Sequence, residues 1–208
     1  MAEISRRAHE RGVFSVLDLA QSAGAVPVDL SGWRPDFAIG TSVKYLCGGP
    51  GACFLWTEKE TAARCSPLDV GWFSHEQPFE FDIRNFRYAE GAMRFWGGTP
   101  SVAPFAIAAS GLETLTHFGV DAVFAHNQRL LSLLIEGLPK GALLSHGKEG
   151  ERGSSAVLAA RDIEAASAAL TAAGVHHDRR NGGVRVSAHL YNTDDDVRSL
   201  REALDGGA

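Results

Sequence analysis

Three residues near the start of the chain have the types and spacing for carbonyl chemistry on a charged heterocycle. Asp18 closes the run Val13-Phe14-Ser15-Val16-Leu17, whose β-branched and aromatic content predicts a strand. Open α/β sheets place ligand contacts at the C-terminal ends of strands, and a carboxylate there can hold a protonated pyridine nitrogen. Alone, the acid fits a helix cap or a solvated loop better. Gln21 follows three residues later, an amide able to bond a phenolic oxygen. Lys44 lies beyond the next predicted strand, Asp36-Phe37-Ala38-Ile39-Gly40, and is one of four lysines in the 208 residues. An amine desolvated in such a turn loses proton affinity and becomes nucleophilic towards an aldehyde. Alone, it fits a surface lysine at a strand end better. Thr41 and Ser42 offer hydroxyls to a phosphate, and Gly48-Gly49-Pro50-Gly51 lets backbone come close. Arg185 stands in the apolar run 183–188, where its planar fork suits a carboxylate; the alternative is a strand-edge arginine facing water.

The elements that must position these groups follow from periodicity and punctuation. A first helix ends at Gly12, and strands are expected at 13–17, 36–40 and 52–56. Residues 66–100 show no period but many aromatics, including Trp72, Phe79, Phe81 and Trp96, which predicts a long structured loop region. A helical pattern runs from Val102 to Gly137 with a break near Gly119. The tail alternates: a strand at 155–160, a helix at 162–173, strands near 175–178 and 183–188, and a last helix from Asp194. This is an α/β chain, with a partial, mostly parallel sheet in 1–100, a connecting helix region in 101–137 and a small α+β domain in 138–208. A three-stranded, parallel sheet leaves its faces and edges poorly covered, so a missing or separate N-terminal half is expected.

Composition narrows the partners. A net charge of −5 without a basic stripe argues against nucleic acid. No apolar stretch reaches bilayer length, and the N-terminus lacks the apolar core of a signal peptide. Cys47, Cys53 and Cys65 have neither metal-ligand spacing nor even pairing, so no metal is expected and a reducing cytoplasm is the simplest compartment.

As a set, the segments 18–30, 36–40 and 44–51 closely resemble kynureninase. That family belongs to the class V aminotransferase-like group of fold type I pyridoxal-phosphate enzymes, with cysteine desulfurases as cousins. The resemblance continues in Gly71-Trp72-Phe73-Ser74-His75, in Gly97-Gly98-Thr99-Pro100, and in Val184-Arg185-Val186 followed by Leu190-Tyr191-Asn192. It implies the C-terminal half of such an enzyme. Asp18 would hold the pyridine nitrogen, Lys44 would be the Schiff-base lysine, and Arg185 would clamp the substrate α-carboxylate. Thr99 would serve the neighbouring subunit of a homodimer, and Trp72 and His75 would lie beside the aromatic end of a kynurenine-like amino acid.

The departures from that pattern bear on the substrate. Gln21 replaces the histidine usual in kynureninases and matches the desulfurases; Val43 replaces a phosphate-binding tyrosine; Cys47 stands where asparagine is usual. The family's phosphate-cradling loop and ring-stacking aromatic come from its N-terminal half, and nothing in residues 1–17 replaces them. The rival expectations are a class V aminotransferase, lyase or desulfurase, and an inactive remnant acting as an interaction module.

Overall fold

A computed structural model describes residues 1–206; residues 207 and 208, the end of the expected small domain, lie outside the described residues. The contacts divide the chain into two compact units: residues 1–23 with 28–114, and residues 24–27 with Leu115 onward.

The first unit opens with α1, Ala2–Glu10. Glu3 pairs with Arg6 and Arg7 three and four residues on, and Glu3 at the start and Arg7 at the end complement the helix dipole. β1 (Val16–Asp18) then pairs in parallel with β2 (Phe37–Thr41), Leu17 opposite Ala38 and Asp18 opposite Ile39. β3 (Cys53–Trp56) pairs with β2 in antiparallel fashion, so the sheet, ordered β1-β2-β3, is mixed rather than wholly parallel. Period-2 alternation buries one face: Leu17 and Ala38 pack with Leu19, Val28, Leu30, Trp33 and Trp56. On the other face Val16 is 58% exposed, and Ile39 and Leu55 are each 38% exposed.

β1 begins at Val16, later than the apolar run suggests, because the residues before it are engaged elsewhere. Phe14 lies edge-on to Phe37 and beneath the Arg64 guanidinium. Ser15 is occupied by Asp36, a buried carboxylate that accepts from the Ser15 N–H at 2.8 Å and the Ser15 hydroxyl at 2.9 Å. His9 Nε2 lies 3.1 Å from the same oxygen, so Asp36 ties α1 and the approach to β1 to the start of β2.

Two short helices escape the periodicity. α2 (Leu30–Trp33) is capped by Asp29, which accepts from the Gly32 N–H at 2.8 Å. α3 (Lys59–Ala63) is held by Arg94, whose guanidinium donates to the carbonyls of Ala62 at 2.7 Å and Cys65 at 3.0 Å. Residues 66–100 contain only two 3-10 turns, Trp72–Ser74 and Gly91–Phe95, and one isolated bridge, His75 to Tyr88.

The helical run is two helices, α4 (Val102–Phe118) and α5 (Val120–Ile135). Gly119 separates them with φ 82°, a conformation that suits glycine. In the second unit β4 (Ser155–Ala159), β5 (Asp178–Arg180) and β6 (Gly183–Ser187) form an antiparallel sheet in the order β4-β6-β5. α6 (Ile163–Ala172) starts at Asp162, which accepts from the Ala165 N–H, and α7 (Asp194–Gly206) closes the chain. Leu130, Leu131, Leu134, Leu158, Leu170 and Val184 form the core of this unit. Each leucine so buried contributes about 1.5–3 kcal/mol. Residues 24–27 join it because the Ser154 hydroxyl donates to the Ala25 carbonyl at 3.3 Å and itself accepts from Asn127 at 3.2 Å. Among the described residues no helix is long and apolar enough to cross a membrane.

Candidate active site

Because β1 and β2 run in parallel, the residues that follow them emerge at the same end of the sheet. Asp18 is the last residue of β1 and Lys44 lies just past β2, so the topology brings the acid and the amine to one edge. Asp18 Oδ1 accepts from the Ala20 N–H at 2.9 Å, which orients the carboxylate. Among the described residues no cation pairs with Asp18, and Lys44 Nζ has neither a hydrogen bond nor an ion pair. Both side chains are exposed. Gln21 is also exposed, in the turn that leaves β1.

The lysine loop is a closed structure. The Ser42 N–H donates to Ala52 at 3.0 Å, the Gly48 N–H donates to Ser42 at 2.8 Å, and the Cys47 N–H donates back to Lys44 at 2.9 Å. The buried Ser42 hydroxyl spans the carbonyls of Gly49 and Ala52, so its single hydrogen is committed inside the loop. Thr41 is only loosely engaged, its hydroxyl 3.4 Å from the Ala52 carbonyl. α4 backs the loop closely: a Cβ on Gly48 would stand 2.7 Å from the Ala108 Cα, and one on Gly111 2.5 Å from the Leu46 carbonyl oxygen. Cys47 adopts φ 53°, the left-handed conformation that asparagine tolerates better than most residues. Local shielding pushes the Cys47 thiol above its ordinary pKa.

The aromatic segment brings three further expected residues onto one framework. The Ser74 hydroxyl donates to the Trp96 carbonyl at 2.9 Å and accepts from the Gly71 N–H at 3.0 Å. A Cβ on Gly71 would lie 1.6 Å from the Gly97 carbonyl oxygen, so only glycine lets these backbones meet. Trp72 and the segment leading to Thr99 therefore share a scaffold, and the Trp72 and Thr99 side chains are exposed. Trp72 carries Phe79 and Phe81 at centroid distances of 6.2 and 5.9 Å. His75 is instead buried, its Nδ1 within 3.0 Å of both the Gln77 carbonyl and the Gln77 N–H, and its ring stands edge-on to Phe86.

Arg185 lies on β6 in the second unit and donates through one terminal nitrogen to Asp178 Oδ2 at 2.5 Å. Asp178 is the functional candidate that sequence reasoning missed, having placed the strand at 175–178 instead of Asp178–Arg180. The signal was Asn181-Gly182, a dipeptide that favours two-residue hairpin turns. Counting outward from it gives Arg180 opposite Gly183, Arg179 opposite Val184 and Asp178 opposite Arg185, which is the register observed.

The donor set at the sheet edge fits pyridoxal phosphate: an acid lacking a cation, an amine lacking an acid, an amide and a lightly engaged hydroxyl. The comparisons with known proteins agree. The class-V aminotransferase family profile matches residues 1–200. An uncharacterized aminotransferase of Bacillus subtilis, YcbU, is 32% identical over 201 residues, covering 95% of this chain and 52% of the relative. A kynureninase of Deinococcus radiodurans is 42% identical over 134 residues, covering 64% of this chain and 32% of the relative. Among solved structures, the apo cysteine desulfurase of Thermococcus onnurineus superposes with a TM-score of 0.84 at 22% identity, over 99% of this chain and 56% of that one. At that identity the likeness shows the fold, that of fold type I enzymes. The chain spans about half the length of relatives such as YcbU. The family supports pyridoxal phosphate as the cofactor. With its sheet, its lysine loop and its sequence in agreement, the chain belongs to the class-V aminotransferase family.

Proposed function

We propose that this chain carries the lysine-bearing part of a kynureninase-like hydrolase, which cleaves the β–γ carbon–carbon bond of a kynurenine to give an anthranilate and alanine. The observation that carries this reading is the unpaired Lys44 amine and unpaired Asp18 carboxylate at one end of the β1–β2 pair. The 42% identity to a kynureninase over 134 residues supports the branch. Bound pyridoxal phosphate supplies an electron sink for a substrate carbanion. Asp18 keeps the ring nitrogen protonated, Gln21 bonds the phenolic oxygen, and Thr41 donates to the phosphate while Ser42 shapes the loop. Lys44 holds the cofactor through its amine and moves the proton at the substrate Cα. Arg185 binds the α-carboxylate, Trp72 offers an exposed aromatic face to the substrate ring, and His75 supports that segment from beneath. Thr99 serves the second site of a homodimer.

The reading includes a companion N-terminal half that supplies the phosphate-cradling loop and the stacking aromatic. The exposed apolar face of Val16, Ile39 and Leu55 supports it. So does α4, with Val102, Ile107 and Phe118 exposed.

Gln21 favours a second reading, a class V aminotransferase or cysteine desulfurase. A desulfurase needs a reactive cysteine on a mobile loop. The Cys47 thiol is pushed towards its neutral form, and Cys53 lies within β3.

Absorbance of the protein with added pyridoxal phosphate, beside Lys44→Ala, tests the role of Lys44; a band near the visible edge that depends on Lys44 is expected, and an equal band in Lys44→Ala overturns the assignment of that lysine. Product analysis of the loaded protein tests the reaction. Anthranilate and alanine from kynurenine support the hydrolase, whereas alanine from cysteine or amino transfer to a keto acid, without anthranilate, overturns it.

A further inference from the structure

The geometry points to Asp178 as a positioning residue for Arg185, fixing the guanidinium so that one edge of it stays presented to a substrate carboxylate. The inference rests on the reading of Arg185 as the arginine that binds that carboxylate. Asp178 and Arg185 are directly opposed across the β5–β6 hairpin, and cross-strand partners in such a pair stand close enough for their side chains to interact. Asp178 Oδ2 accepts from Arg185 at 2.5 Å and from Arg180 at 3.1 Å. The other oxygen, Oδ1, is buried and has no donor among the described residues, so these two arginines alone set the carboxylate's place.

Arg185 has five N–H donors in a planar fork, and Asp178 engages one terminal nitrogen. A two-nitrogen edge therefore remains for a bidentate carboxylate, the geometry in which an arginine binds such a group best. A free arginine side chain has several rotamers and must be ordered before it can bind in this way. The Asp178 ion pair does that ordering in advance. Arg180 offsets the Asp178 charge, so the cluster of Arg180, Arg185 and Asp178 keeps one net positive charge for an incoming anion.

The experiment is a nuclear magnetic resonance titration of the protein with L-alanine, an amino acid bearing the α-carboxylate, followed at the Arg185 Nε–H. Wild type, Asp178→Ala, Asp178→Asn and Arg185→Ala are compared, with thermal melts to identify folded variants. Positioning predicts a sharp Arg185 Nε–H signal in the wild type that broadens in Asp178→Ala. It also predicts roughly ten-fold weaker alanine binding in Asp178→Ala and recovery of much of that loss in Asp178→Asn, which keeps an acceptor oxygen in place. Unchanged binding with an unbroadened signal in Asp178→Ala overturns the inference. Tighter binding also overturns it, since Asp178 would then be a competitor for Arg185. If Asp178→Ala does not fold, Asp178→Val, a strand former without an acceptor oxygen, decides: a broadened Nε–H signal with weaker binding supports positioning, and an unaltered signal with unaltered binding overturns it. Alanine shifts elsewhere in the protein that survive in Arg185→Ala would mean that the assignment of Arg185 itself has failed, an outcome separate from the role of Asp178.

Discussion

Ser42 donates its hydroxyl to the Gly49 carbonyl at 2.8 Å, across the base of the loop that carries Lys44. Ser42 is buried, and the bond holds the two arms of the loop together while the lysine side chain stays outside. Replacing Ser42 with alanine removes the donor and leaves buried carbonyl oxygens without it. A loss of about 1–2 kcal/mol is expected in urea unfolding. Slower reaction of Lys44 with pyridoxal phosphate should accompany it, because the loop then samples more conformations. A variant as stable as the wild type would show that the hydroxyl is not what closes the loop.

Cys47 shows the opposite situation, a residue that costs stability where it stands. Its φ of 53° places a side chain in a region that L-residues other than glycine and asparagine seldom adopt. Cys47→Asn is therefore expected to stabilise the protein by roughly 0.5–1 kcal/mol, read as a higher urea midpoint at constant slope. A lower midpoint would mean that packing of the sulfur outweighs the backbone strain.

These two residues also show what was legible in the sequence. The glycines around Lys44 announced a tight loop, and Gly119 announced the break between two helices, because both depend on local backbone chemistry. The antiparallel course of β3 was open to counting as well. Residues 42–52 hold no helix and fall short of the dozen or so residues that a parallel crossover requires. The partner of Arg185 went unseen because Val175 and its neighbours looked like strand by composition, whereas the Asn181-Gly182 turn fixes the register three residues away. The burial of His75 was not legible at all, since it depends on Phe86 and Tyr88 folding back over it.

The Asp36 carboxylate gives the first unit an acid-sensitive joint. Burial pushes its pKa up, but the Ser15 N–H, the Ser15 hydroxyl and His9 outweigh that, leaving it below the ordinary aspartate value. A depressed carboxylate contributes stability that is fully present above the unfolded-state pKa, near 4, and is lost as pH falls through the folded-state value. Asp36→Asn should cost about 2 kcal/mol at neutral pH. The gap between the two proteins should close as urea unfolding is repeated below about pH 4. A gap that stays constant with pH would show that the Asp36 charge contributes nothing to the joint.

In the second unit Arg152 is a buried guanidinium held by neutral acceptors. Its Nε donates to the Gln128 side chain at 2.8 Å, and its terminal nitrogens reach the Gly147 carbonyl at 3.0 Å, the Gln128 carbonyl at 2.8 Å and the Ser132 hydroxyl at 2.5 Å. Among the described residues no carboxylate pairs with it. Two effects oppose each other in Arg152→Met: the acceptors lose their donors, while the cost of burying a charge disappears. The lost hydrogen bonds should prevail because several acceptors are released at once, for a net loss of about 2 kcal/mol. With no ion pair to screen, the loss should be equal in urea unfolding at about 0.05 M and about 1 M salt. A loss that shrinks at high salt would reveal electrostatic attraction between Arg152 and acids elsewhere in the unit, and the neutral cradle would then be only part of what holds it.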